Sequence, residues 1–367
     1  MMRATVLAVL LALAVLVGAS PATAADHRVM TTVTDSGQRG IDDLRKCLAT
    51  ADSLQVYLLV DSSGSMADTD PGNIRSTLLG NSLLQLAAIR DDISVEYAMG
   101  FFSNDFMPAI GWTPLSGAVE AESARVTQVI AGQPASGGTN WSAAISGAQA
   151  ALLAQRAPGS CQTMLWLTDG GISVGQNTRA ENATAINQLC GNAVAAGGEG
   201  PAEGSHGLFN ELRQAGTVLF GIMLRDPNVI DDQAEYVPFM KPLVEGEGSV
   251  DDSTVTCGEH PIPERFSHGV YLEATSADDL GAVFLQLGAL VGGGAQSGIS
   301  DDGTFPVDPG IARFAILAPG STWTLAKPSG QTITATSAAA EGFKTETGGS
   351  VTKITSPALT PDDIGDW

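Results

Sequence analysis

The sequence predicts an open, mostly parallel α/β sheet followed by a smaller β unit, and three observations point there. Five near-continuous apolar runs recur between Leu54 and Thr275, as expected of strands covered on both faces. Helical patterns separate them, and strand alternating with helix favours parallel pairing. After Val291 that periodicity stops, and short β-rich runs divided by turn residues take over.

The chain opens with Met1-Met2-Arg3, an unbroken apolar run from Ala4 to Val17, and the small-residue pattern Ala22-Thr23-Ala24. Residues 1–25 therefore read as a signal peptide, the run being shorter than the roughly 18 to 20 apolar residues of a membrane span. An exported protein, secreted or held at the cell surface, is expected. The strand candidates follow: LQVYLLVD (Leu54 to Asp61), ISVEYAMGFF (Ile93 to Phe102), TMLWLTD (Thr163 to Asp169), TVLFGIML (Thr217 to Leu224) and GVYLEAT (Gly269 to Thr275). Asp70-Pro71 predicts a helix N-cap with proline at the first helical position, ahead of Leu79, Leu83 and Leu86. Trp141, Ile145, Ala148 and Leu152 mark a second helix, and Leu280, Phe284, Leu287 and Val291 a later one. Gly292 to Gly303 is a Gly, Ser and Asp linker, and IARFAIL, STWTLA, QTITAT and SVTKI are short strands of a small β-sandwich.

With 367 residues, 44% of them hydrophobic, the chain holds one large or two modest domains. Lys and Arg number 18 against 40 Asp and Glu, for a formal net charge of −22, and no basic stripe interrupts it. That excludes nucleic acid as an expected partner. Cys47, Cys161, Cys190 and Cys257 form an even set, so two disulfides are expected in an oxidising compartment. Spacing alone leaves three connectivities open. No feature of the sequence points to a particular oligomeric state.

The first strand ends in Asp61-Ser62-Ser63-Gly64-Ser65-Met66, a carboxylate and two hydroxyls at alternate positions where the chain leaves the sheet. Hard oxygen ligands of this kind suit Mg²⁺. Thr139 follows Gly137-Gly138, and Asp169 ends another strand before Gly170-Gly171. Ligand sites in open α/β sheets gather at the carboxyl ends of strands, so the three segments are expected to converge. The plainer alternative is a Ser-rich turn whose Asp61 and Asp169 cap helices.

DSSGSM, SGGTNW and LTDGG, in this order and on these elements, resemble the von Willebrand factor A domain with its metal-ion-dependent adhesion site. The likeness covers Leu54 to Val291 and places the domain at residues 26–295. It implies a doubly wound, six-stranded sheet and a metal set of Asp61, Ser63, Ser65, Thr139 and Asp169. The cation implied is Mg²⁺, or Mn²⁺ or Ca²⁺ in its place. Neutral hydroxyl ligands leave its charge largely uncancelled, and one exchangeable position would accept the Asp or Glu carboxylate of a protein ligand. An adhesion or interaction role follows, with an accessory subunit of a cell-envelope complex as the alternative. The implied strand order makes the Leu54 and Thr163 strands neighbours, which favours Cys47 with Cys161 and Cys190 with Cys257. The long connections Gly170 to Gly207 and Arg225 to His268 lie at the ligand end, where specificity loops are often found.

An enzyme is not expected. The chain has no G-x-S-x-G, H-E-x-x-H or G-x-x-x-x-G-K-[ST] motif, and His27, His206, His260 and His268 have no evident nucleophile beside them. The Asn182-Ala183-Thr184 sequon reads as a chance triplet in a composition of bacterial type. Residues 296–367 loosely resemble the β-sandwich that follows A domains in some bacterial surface proteins and in the calcium-activated chloride channel regulator group. The sandwich is expected to be incomplete, with any membrane or wall anchor beyond Trp367.

Overall fold

The computed structural model describes residues 33–87, 93–116, 119–190, 207–225, 237–246, 268–275, 280, 283, 304–309, 311, 313–319, 321–348 and 351–367. The expected leader and the linker at Gly292 to Gly303 lie outside the described residues, as does most of the helix predicted over Leu280 to Val291. Leu280 and Val283, which are described, are helical and fully buried.

Six strands form the central sheet: β1 (Ser53–Asp61), β2 (Ser94–Phe102), β3 (Phe106–Pro114), β4 (Ser160–Thr168), β5 (Thr217–Leu224) and β6 (Val270–Ala274). Their order is β3-β2-β1-β4-β5-β6, with every neighbouring pair parallel except β2 and β3. The order reverses between β1 and β4, which makes the crevice beyond their carboxyl ends the topological switch point. β1 shows why its run of apolar residues is continuous. Leu54, Val56, Leu58 and Val60 pack on one face, Tyr57 and Leu59 on the other, and all are at most 2% exposed. Full burial of such a side chain is worth about 1.5 to 3 kcal/mol.

Helices cover both faces. On one side lie α1 (Asp35–Leu48), α3 (Ile74–Ala87) and α4 (Val119–Ala131), through residues such as Ile41, Leu44, Leu79, Leu83 and Val126. On the other lie α5 (Trp141–Gln155), α6 (Arg179–Cys190), α7 (Gly207–Gln214) and α8 (Val237–Glu245). A single turn, α2 (Met66–Thr69), follows β1.

The structure departs from the sequence reading in several places. β3 is the sixth strand that the resemblance implied but the residues did not locate, because as an edge strand it is buried chiefly at Ile110 and carries Pro108, Gly111 and Pro114, so it shows no apolar run. Helices α1, α4, α6, α7 and α8 were also not expected. In α4, for example, only Ser123, Val126 and Ile130 are buried, too few to stand out among polar residues. Helix α3 begins at Ile74, not at Pro71. Pro71-Gly72 form a turn, and Asn73 takes a left-handed conformation at φ 51° that keeps the helix from starting earlier. Asp70 still serves the helix end, accepting from the amides of Ile74 (2.7 Å) and Arg75 (3.2 Å) while pairing with the buried Arg75 guanidinium (2.9 Å).

Cys47, in the last turn of α1, is bonded to Cys161 on β4, as the implied strand order favoured. Cys190 is also disulfide-bonded; its expected partner, Cys257, lies outside the described residues. The connection from Gly170 to Gly207 contains α6, and that from Arg225 to His268 contains α8.

The trailing residues form three small sheets, order β10-β9, β11-β12-β8 and β13-β7. Their strands are β7 (Pro306–Val307), β8 (Ala315–Pro319), β9 (Thr324–Ala326), β10 (Thr332–Thr334), β11 (Lys344–Gly348), β12 (Val351–Thr355) and β13 (Gly365–Asp366). They enclose a core of their own around Ile333, Phe343, Ile354 and Trp367. Trp367 is 5% exposed and donates from its indole Nε1 to Asp363 O at 2.8 Å. No described helix is long and apolar enough to cross a membrane.

Candidate metal centre

β1 and β4 end side by side, so Asp61 and Asp169 leave the sheet into the same crevice. Asp61 is fully buried. Its Oδ1 accepts from the Ser63 amide at 2.7 Å, and its Oδ2 accepts from the Thr168 hydroxyl at 2.5 Å. The first bond bends the chain back on itself and brings Ser63 and Ser65 to the same side, their hydroxyl oxygens 3.1 Å apart. Ser65 donates to Asp169 Oδ1 at 2.8 Å, and the Thr69 hydroxyl donates to Asp169 Oδ2. Four of the five predicted residues are thereby joined in one hydrogen-bonded group.

Thr139 is held by its backbone. It exchanges both amide–carbonyl bonds with Ser173, each 2.9 Å, just beyond the strand that carries Asp169. The preceding Gly137 accepts from the Gly64 amide at 3.0 Å, which ties the Thr139 loop to the serine loop. Thr139 is 4% exposed, and Asn140 next to it caps α5 by accepting from the Ala143 amide.

Helix capping does not account for the two aspartates. Asp169 accepts from hydroxyls about a hundred residues away, α6 starts only at Arg179, and Ser65 makes no side-chain cap bond to α2. Burial pushes the Asp61 carboxyl above the usual carboxylate range. Burial, and then the facing Asp61, push Asp169 up to about 7. The Asp61 charge thus opposes ionisation of Asp169, and hydroxyls are the near partners of both carboxyls.

This donor set fits a small hard cation. It consists of oxygen atoms only, two anionic and the others neutral, clustered where backbone and side chains are already ordered. Among the described residues no group of three or more His, Cys, Asp or Glu side chains could hold a metal ion, so carboxylates and hydroxyls together are what this crevice offers.

Several contributors escaped the sequence reading. Thr168 and Thr69 each support one aspartate. Thr168 adjoins Asp169 in the sequence and could have been noticed, but Thr69 had no signal. Asn182 of the sequon is 1% exposed, accepts from the Val174 amide and donates to Asn177 Oδ1, so it shapes the loop after Asp169 instead of facing solvent.

Strand order, helices on both faces and a polar crevice at the switch point define a von Willebrand factor A-type, Rossmann-like α/β fold. The chain matches no family model, and no curated protein is similar to it. Among solved structures it is similar to the pilus adhesin SpaC from Lactobacillus rhamnosus GG, with a TM-score of 0.43 and 14% identity over 86% of this chain and 38% of that one. It is also similar to the PilB minor pilin from Streptococcus sanguinis, with a TM-score of 0.41 and 14% identity over 66% and 62% of the two chains. A von Willebrand factor type A protein from Catenulispora acidiphila gives a TM-score of 0.39 and 13% identity over 86% and 57%. The chain thus spans less than two thirds of the length of each of these proteins.

Proposed function

We propose that this is an exported binding protein that holds a divalent cation, Mg²⁺ or Mn²⁺, through Asp61, Ser63, Ser65, Thr139 and Asp169, and uses it to grip a carboxylate on a protein ligand. The observation that carries this reading is the meeting of Asp61, Ser63, Ser65 and Asp169 in one hydrogen-bonded group, with the buried Asp61 opposing ionisation of the buried Asp169. A bound cation would relieve that repulsion, and neutral hydroxyl ligands would leave it enough positive charge to attract an acidic side chain. Binding fits these residues better than catalysis, because the hydroxyls of Ser63 and Ser65 and the two carboxyls form one set of oxygen ligands for a hard cation. The Cys47–Cys161 disulfide supports an oxidising compartment, in keeping with the leader-like residues 1–25. An adhesion or interaction role follows from these properties.

Calorimetric titration of Mg²⁺ and Mn²⁺ into chelator-treated protein tests the reading, with Asp61→Ala beside it and circular dichroism to check folding. Saturable binding to one site is expected in the unsubstituted protein, and none in the variant. Absence of binding by the unsubstituted protein, both alone and with acetate added as a carboxylate, would overturn it.

A further inference from the structure

We infer that Asn104, in the turn between β2 and β3, is a positioning residue for this centre: it holds the loop that presents Thr139. The inference rests on the metal-binding reading above. The Thr139 loop hangs from three supports. The serine loop supplies one, with Ser62 O accepting from the Ser136 amide at 2.8 Å and the Gly64 amide donating to Gly137 O at 3.0 Å, and Ser173 supplies another; both adjoin segments that carry the proposed ligands. The third comes from a segment that contributes no ligand. Asn104 Oδ1 accepts from the Gly138 amide at 2.7 Å, across 34 residues of sequence. The backbone carbonyl of Asn104 accepts from Asn140 Nδ2 at 3.0 Å, and the carbonyl of Ser103 accepts from the Asn140 amide at 2.8 Å. Both neighbours of Thr139 are therefore tied to the same turn.

The glycines before Thr139 have the form this contact requires. Gly137 takes φ +85°, and a Cβ there would lie 3.0 Å from Asn104 Nδ2. A Cβ at Gly138 would stand 2.7 Å from Ser173 O and 3.0 Å from Asn104 Oδ1. The loop is thus pinched between the Ser173 strand end and the Asn104 side chain, and only glycine admits both.

Asn104 is exposed, so no apolar core depends on it. Without its side-chain oxygen, the Gly138 amide turns to water and the loop gains freedom, while the sheet beneath is unchanged. Groups that orient metal ligands without touching the metal commonly govern affinity by about 10- to 100-fold. A bond made at an exposed rim belongs at the lower end of that range.

The test compares Asn104→Leu, which removes the acceptor at similar volume, with Asn104→Asp, which keeps it. Three quantities are read: Mn²⁺ affinity by calorimetry, amide hydrogen exchange over residues 136–140 in metal-free protein, and the melting temperature. Asn104→Leu should bind Mn²⁺ about tenfold more weakly and exchange the Gly138 amide faster, with the melting temperature held. Asn104→Asp should restore both affinity and protection. A general structural role would lower the melting temperature without separating the two variants, and would overturn the inference. So would wild-type affinity and exchange in Asn104→Leu. Failure of the unsubstituted protein to take up Mn²⁺ would instead overturn the reading of the site itself, and the inference with it.

Discussion

The central sheet carries a buried polar group at each end, and the two are built on opposite plans. At the amino end, Glu96 on β2, Gln55 on β1, Gln162 on β4 and Thr217 on β5 stand in register across four strands. Gln55 Nε2 donates to Glu96 Oε1 at 2.6 Å, and Gln155 donates to both Glu96 oxygens at 3.0 and 3.1 Å. Gln162 Nε2 donates to Gln55 Oε1 at 2.8 Å and to Leu152 O at 2.7 Å. The Glu96 oxygens and Gln55 Oε1 each have a neutral amide turned towards them, and the Thr217 hydroxyl reaches Gln162 Oε1 at 3.5 Å, so one carboxylate stands among several donors. At the carboxyl end, Asp61 accepts from the Thr168 hydroxyl and Asp169 from those of Ser65 and Thr69, and both carboxyls are pushed towards protonation. The contrast separates two uses of buried polarity. A group whose donors match its acceptors completes the fold and fixes register. A group with surplus like charge resists ionisation, and in the function proposed above a cation relieves it.

The largest effect that would sharpen this contrast lies at the amino end. The Cys47–Cys161 disulfide closes a loop of 114 residues. Replacing both cysteines with alanine should lower the unfolding free energy by about 4 to 5 kcal/mol, measured by urea denaturation. Mn²⁺ affinity should remain that of the parent protein. A large loss of affinity would mean that the two ends are not independent.

The next effect belongs to the carboxyl end and depends on pH. Because the folded Asp169 carboxyl is raised to about 7 from an ordinary value near 4, the native state binds its proton more tightly than the unfolded chain does. Its stabilising contribution is complete below about pH 4 and is lost as pH climbs through about 7. Asp61 is shifted in the same direction. Metal-free protein should therefore lose melting temperature between about pH 5 and pH 8. Asp169→Asn keeps an acceptor oxygen for Ser65 or Thr69 without the charge, so its profile should be flatter and its stability at pH 8 higher, by about 2 kcal/mol. Saturating Mg²⁺ should erase the decline in the parent protein and do nothing for the variant. Parallel profiles for the two proteins would mean that Asp169 ionises without strain, and the contrast would fail.

How far the sequence revealed these regions follows from where each residue's partners lie. β1, β2, β4 and β5 were legible because burial on both faces leaves a nearly continuous apolar run, broken only near the amino ends of β1, β2 and β4. β3 was hidden because an edge strand needs no such run, and its prolines and glycine argue against a strand. The fold is thus readable where burial is symmetric. Asp61, Ser63 and Ser65 were legible because they lie within five residues of one another, and Thr139 and Asp169 because glycines and strand ends mark them. Asn104 and Thr69 were not, since their bonds to Gly138 and Asp169 span 34 and 100 residues and exist only once the sheet has formed. The amino-end row was invisible for the same reason: Gln55 and Gln162 look like interruptions in apolar strands until register sets them side by side.

The smallest effect tests whether that row is a unit. Gln162→Leu removes the amide that serves both Gln55 Oε1 and Leu152 O, leaving two buried acceptors without this donor. Its cost should be about 1 to 3 kcal/mol in urea denaturation, for unmade bonds and not for lost volume. Gln55→Leu should be destabilising for a related reason, since Glu96 Oε1 then keeps only the Gln155 donor at 3.0 Å. In the double variant the bond between the two amides is absent from both sides, and two leucines meet across β1 and β4. The double variant should therefore be less destabilised than the sum of the singles, by about 1 kcal/mol. Strict additivity would mean that each amide acts alone and that register is set by the apolar residues around them. In that case the amino end would contain scattered polar residues, and the contrast with the aspartate pair would rest on charge alone.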